Sequence, residues 1–153
     1  MAAAGVGLWL VAAAAVLPAP ALAAGWTWHL SAGAISTNQI GFTGALWAGS
    51  PTFEELFLRG GITLNGDATV VDGGVAYLLT PALPGLAARF PDLDPYVAAM
   101  LTYRTGAGPA DAARSGMYAG VGSTYRLAER TWAWGELRLG SGLGIVVGLG
   151  VSL

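Results

Sequence analysis

The chain has 153 residues, a length that fits one domain. It contains no Cys, which excludes a disulfide framework and thiolate metal sites. Seven Arg, no Lys and nine acids leave a net charge of −2, so there is no basic footprint for nucleic acid.

Charged residues make up only 10% of the chain, whereas about 25% is usual for a soluble domain. Gly accounts for 24 residues and the mean hydropathy is +0.58. A water-facing globule would be hard to cover with this set. The chain opens MAAAGVGLWLVAAAAVLPAPALAA. Residues 1–23 have the form of a secretory signal: an apolar core from Val6 to Leu17, the helix breakers Pro18 and Pro20, and the small-x-small triplet Ala21-Leu22-Ala23. The core is shorter than the ~20 residues of a spanning helix. Cleavage after Ala23 or Ala24 is expected, leaving 24–153 as the folded domain.

Beyond residue 24 the apolar period is two. Eight strands are predicted, at 26–35, 39–47, 55–65, 68–80, 95–104, 116–127, 131–139 and 142–152. Along the first, Trp26, Trp28, Leu30, Ala32 and Ala34 oppose Thr27, His29, Ser31 and Gly33. Along the last, Leu143, Ile145, Val147, Leu149 and Val151 oppose Gly144, Gly148 and Gly150. Alternating strands of about ten residues separated by turns are the signature of a transmembrane barrel. The expected fold is therefore all-β, an eight-stranded antiparallel up-and-down transmembrane β-barrel.

Periodicity alone also allows a soluble, lipocalin-like barrel that binds an apolar ligand with its aliphatic face inward. The second face decides against it. That face is mostly Gly, Ala, Ser and Thr, a poor coat against water but a good filling for the narrow lumen of eight strands. The aliphatic face is assigned to lipid. Hydrocarbon tolerates no open sheet edge, so the eighth strand must pair with the first.

The inward face then collects Glu55, Arg59, Asp72, Arg104, Arg126, Glu136 and Arg138, read as a luminal ion-pair network. Asn65-Gly66 is a strong hairpin signal. A turn centred there sets Leu64 opposite Asp67, Leu56 opposite Val75 and Arg59 opposite Asp72, an expected ion pair; a turn on Gly66-Asp67 would instead set Arg59 opposite Gly74. A three-residue loop at Gly140-Ser141-Gly142 pairs Leu139 with Leu143, Arg138 with Gly144 and Glu136 with Val146. Aromatics gather near the strand ends on the side of the N-terminus: Trp26, Trp28, Trp47, Phe57, Tyr77, Tyr96, Tyr125, Trp132 and Trp134. They are expected to form a membrane-interface belt. Trp132 and Trp134 share the parity of Glu136 and need a bulge to reach lipid; without one they cap the lumen.

Pro95-Tyr96, Gly120-x-Gly122, Tyr125-Arg126-Leu127, Glu136-x-Arg138 and Gly148-Leu149-Gly150 follow in order through residues 95–153. In this the chain resembles small OmpA/OmpX-type outer-membrane β-barrels. The resemblance implies a bacterial outer-membrane location in a Gram-negative envelope. It also implies outer-membrane lipid and the barrel-assembly machinery as partners, and a monomer. Leu153 stands where the family usually has an aromatic, and the long connection 81–94 lies on the side where the family has short turns. That segment has room for a short helix. The predicted loops at the other end, 36–38, 65–67 and 140–142, are short, and only 105–115 is long enough to touch a partner.

His29, the only histidine, stands in His29-x-Ser31, which resembles the His-x-Ser of lipid A deacylase barrels. Triad logic needs an acid on a neighbouring strand, and neither the second nor the eighth strand carries one. No metal constellation is present in the sequence, Asp92 and Asp94 read as loop acids, and the C-terminal glycines precede no helix as a dinucleotide fingerprint would. No catalytic residue, cofactor or metal is therefore assigned. The expected function is a non-enzymatic integral outer-membrane barrel with a structural or surface-interaction role and a lumen plugged by side chains. The alternatives are the soluble ligand-binding barrel and a lipid-modifying barrel enzyme.

Overall fold

A computed structural model describes residues 25–37, 40–66, 68–105, 114–140 and 143–153. The signal segment, Asp67 and most of the 105–115 loop lie outside the described residues, as do Ser141 and Gly142. Eight strands follow one another: β1 (Thr27–Ser36), β2 (Ile40–Gly49), β3 (Leu56–Asn65), β4 (Ala68–Leu78), β5 (Leu93–Thr105), β6 (Arg114–Ala128), β7 (Thr131–Leu139) and β8 (Leu143–Ser152). One 3₁₀ turn (Thr80–Ala82) and one short helix, α1 (Pro84–Arg89), interrupt the β4–β5 connection. Each strand pairs antiparallel with its neighbours, and β8 closes on β1 from Ser152 opposite His29 to Ile145 opposite Ser36. The sheet has no edge, as backbone amides in hydrocarbon require.

The two faces separate as the alternation predicts. Leu58, Ile62, Val71, Val75, Leu101, Met117, Val121, Leu137, Leu139 and every odd residue from Leu143 to Val151 point outward and are exposed. The soluble alternative needs these side chains inside, and they are outside. Ten-residue strands tilted by about 40° span roughly 25 Å, the height of the apolar band on barrels of this kind. The inner face carries the buried core: Ser31, Ile35, Thr43, Ala45, Trp47, Arg59, Thr63, Asp72, Ala76, Tyr96, Ala98, Met100, Trp134, Glu136, Arg138 and Val146.

Two registers bear on the lumen. Between β7 and β8, Leu139 meets Leu143, Arg138 meets Gly144 and Glu136 meets Val146, as the three-residue loop predicts. Between β3 and β4 the expected register is wrong by two residues. Asn65 meets Ala68, Gly61 meets Asp72 and Arg59 meets Gly74. The last pair before the turn is Asn65 with Ala68, and Gly66 supplies a left-handed conformation at φ 59°. Arg59 and Asp72 are therefore not cross-strand partners. A shift of two keeps every side chain on its face, so alternation cannot distinguish the two registers.

Candidate functional site

Four charges meet in the middle of the lumen, one each from β3 and β4 and two from β7. Glu136 is the hub. Its Oε2 accepts from Arg59 Nη1 and, at 2.8 Å, from the Tyr96 hydroxyl; its Oε1 accepts from Arg138 Nε at 2.6 Å. The side chains of Arg59 and Glu136 are fully buried. Arg138 Nη1 reaches on toward Asp72 Oδ2 at 3.9 Å. Two guanidiniums and two carboxylates make the group neutral. Charge-assisted bonds of this kind are the strong ones, and breaking a buried pair by removing one partner is costly.

Aromatic rings pack around the hub. The Arg59 guanidinium carbon lies 4.6 Å from the Trp47 ring centroid and 5.1 Å from that of Trp134, and Arg138 sits 4.9 Å over Tyr118. Trp47 meets Tyr96 edge-on at 5.4 Å, and its indole N–H donates to Ser31 Oγ at 3.0 Å. Cation–π contact is worth most where the cation is shielded from water, as here.

The glycines of β6 and β8 explain how so much side chain fits. Tyr96 faces Gly122 across the β5–β6 ladder, and a Cβ on Gly122 would stand 2.7 Å from the Tyr96 ring. A Cβ on Gly120 would stand 3.1 Å from the Glu136 carboxyl carbon. Trp134 and Trp132 lie across Gly148 and Gly150 in the same way. The bare face of the last strand is the room that the tryptophans of β7 occupy.

Of the seven residues expected in the luminal network, the structure brings together Arg59, Asp72, Glu136 and Arg138. The other three lie elsewhere. Glu55 precedes β3 and is half-exposed, its carbonyl accepting from Leu78 N–H at 2.8 Å. Arg104 and Arg126 have the inward parity, but β5 and β6 run well past the central layer. Their side chains are exposed at opposite rims. The expected aromatic belt is also corrected in part. Tyr77 and Tyr125 are exposed on the outer face, and Trp28 shares that parity, with Trp26 just before β1. Trp134 is buried at 3% exposure, and Trp132 and Phe57 pack against the same core, which also holds Trp47 and Tyr96. The only register shift between β6 and β7 lies on β6, between Arg126 and Ala128, so β7 keeps its parity and both tryptophans stay inside. Sequence reasoning missed Glu136 as the hub. Besides Arg138 on its own strand, its partners Arg59 and Tyr96 come from β3 and β5, and Tyr96 was expected in the interface belt.

The cluster divides the lumen. Toward the end that carries the C-terminus lies a cavity of about 160 Å³ walled by His29, Trp47, Phe57, Tyr96 and Trp132. Toward the other end lies one of about 670 Å³ with Thr63, Asn65, Asp72, Thr102, Tyr118 and Arg138 on its walls. His29 Nδ1 and the Ser152 hydroxyl are hydrogen-bonded at 2.9 Å, whereas Ser31 bonds to Trp47, so the His-x-Ser pair is split between two partners. Among the described residues no group of three His, Asp or Glu side chains is placed to hold a metal ion.

No family model matches the chain, and no curated protein matches it. Solved barrels do. A de novo designed transmembrane β-barrel is 23% identical, with 83% of this chain and 95% of that one covered, at a TM-score of 0.62. The N-terminal β-barrel domain of Pseudomonas aeruginosa OprF is 16% identical, covering 83% of this chain and 97% of its own, at 0.59. Neisserial surface protein A is 14% identical, with 85% and 97% covered, at 0.50. At these identities the likeness is one of fold: the chain is a closed eight-stranded barrel of the form outer-membrane proteins use.

Proposed function

We propose that this chain is a small, non-enzymatic integral barrel of a bacterial outer membrane, of the OmpA/OmpX type. Residues 1–23 serve as its export signal, and its role is structural or one of surface interaction. The observation that carries the reading is the pairing of an outward aliphatic belt with an inward neutral cluster. A belt exposed on all sides of a closed sheet is stable in hydrocarbon and a liability in water. The Glu136 cluster with its aromatic collar closes the lumen to ions. The barrel works as a monomer held by outer-membrane lipid, after assembly by the barrel-assembly machinery, and uses no cofactor.

The test is fractionation after expression in a Gram-negative host, with electrophoresis of boiled and unboiled samples. The protein is expected in the outer-membrane fraction, resistant to carbonate extraction, with an SDS-resistant band that shifts on boiling. Release as a soluble protein, or identical mobility before and after boiling, would overturn the reading.

A further inference from the structure

The β4–β5 connection is long for a barrel turn, and it is held in place at both stems. Leu79 N–H donates to Pro95 O at 2.7 Å, Thr80 Oγ1 to Asp94 Oδ1 at 2.9 Å, and Arg126 N–H to Asp92 O at 2.9 Å. Between the stems, Leu83, Leu86, Ala87 and Phe90 recur at the spacing that lines one side of a helix. Phe90 N–H closes the last turn on Leu86 O at 2.9 Å. α1 buries none of its residues, and Leu83 and Phe90 at its two ends remain 42% and 46% exposed. Two large apolar side chains flanking a tethered helix are costly in water unless something covers them.

Their surroundings say what covers them. The cavity at this end of the lumen is lined by Leu78 and Asp94 from the stems, but by no residue of α1, so the helix is not a luminal stopper. The neighbouring rim continues the apolar surface: Tyr77 on β4, Tyr125 on β6 opposite Leu93, and Phe53 on the β2–β3 connection are all exposed. Four apolar side chains also offer far less than the roughly 800 Å² per partner of a standard protein interface. Arg89, whose guanidinium carbon lies 5.7 Å from the Phe90 ring centroid, has the long stem and charged head that reach from an apolar layer to phosphate.

From this we infer that α1 is an in-plane anchor, lying in the phospholipid headgroup layer with Leu83, Leu86 and Phe90 toward the acyl chains. It extends the lipid contact of β3–β6 beyond the strands and fixes the depth of that rim. This inference rests on the membrane reading above, and the experiment separates the two.

The chain has no Cys, so single-cysteine variants can carry an environment-sensitive fluorophore. Leu83→Cys marks the apolar side of the connection, Ala88→Cys the opposite side of α1, and Leu101→Cys the lipid face of β5. Each is refolded into phosphatidylcholine nanodiscs, checked for its boiling-dependent gel shift, and quenched with brominated lipid or aqueous iodide. The expected result is loss of emission to brominated lipid at positions 101 and 83, and to iodide at position 88. Phe90→Cys carries the same expectation as Leu83→Cys and replaces it if that barrel does not close. Quenching of the 83 label by iodide, or its protection from both quenchers, overturns the anchor while leaving the barrel in its membrane. Quenching of the 101 label by iodide overturns the membrane reading, and the anchor with it.

Discussion

The two halves of the lumen are built from opposite materials. On the side of the C-terminus rings dominate the interior: Trp47 meets Tyr96, Trp132 and Trp134 edge-to-face, and Trp47, Phe57, Tyr96 and Trp132 wall a cavity of about 160 Å³. On the far side hydroxyls, an amide and charges mix with aliphatic side chains such as Ile35 and Val70 around about 670 Å³. In the ringed half most of the large side chains have a glycine across the ladder to lie on, as Tyr96 has Gly122, Trp132 has Gly150 and Trp134 has Gly148, whereas Trp47 lies between His29 and Arg59. The far half has such glycines too, Gly61 across from Asp72 and Gly144 across from Arg138, but its side chains leave the larger space. Asp72, with its side chain 1% exposed, receives no hydrogen bond on either oxygen among the described residues. Among the described residues, buried polar atoms without a hydrogen bond occur in both halves, Trp132 Nε1 and Trp134 Nε1 on the ringed side included; the difference lies in the space left open, and Glu136 stands at the border.

The border gives the largest expected effect. Glu136→Ala leaves Arg59 and Arg138 buried without their shared acceptor. It should destabilise the barrel by about 3–5 kcal/mol, read by urea unfolding in lipid vesicles. A change under 1 kcal/mol would mean that the two guanidiniums find other acceptors and that the hub is dispensable. The ringed half comes next. Gly122→Ala puts a methyl 2.5 Å from the Gly135 carbonyl oxygen and 2.7 Å from the Tyr96 ring, both inside contact distance. It should cost about 1–3 kcal/mol by overpacking. The double variant Gly122→Ala with Tyr96→Leu should recover part of that loss; if it recovers none, the collision is with the backbone alone. The far half should respond least. Asp72→Asn leaves the buried cluster one negative charge short, but its pair is long at 3.9 Å and Arg138 keeps its 2.6 Å bond to Glu136, so the same urea titration should show a smaller loss than Glu136→Ala does. A loss as large as that of Glu136→Ala would erase the distinction between the halves.

Much of this was legible before the structure. Strand number, the lipid and lumen faces and the closing pair follow from period-two alternation with a physical penalty on open edges. The β7–β8 register follows from the short glycine loop. Two kinds of information were not legible. The first is any shift of two residues: Asn65-Gly66 and Gly66-Asp67 both place a glycine in the loop and both keep Arg59 inside. The second is contact across the lumen. Arg59 and Glu136 are 77 positions apart in the chain, and nothing local to either names the other. The tryptophans of β7 lay between these cases. Two signals conflicted there, the parity shared with Glu136 and the preference of indole for headgroups. Parity prevailed because a bulge would have broken the ladder to Gly148 and Gly150, which already had room for the rings.

The proposed closure of the lumen by the neutral, ring-packed layer around Glu136 has a direct electrical consequence. Single-molecule conductance across a planar bilayer tests it most directly, with the SDS-resistant wild-type barrel inserted and potential applied in both directions. No stepwise current is expected from the wild type. A steady open level at low potential, present in every insertion and unaltered by Glu136→Ala, would contradict it.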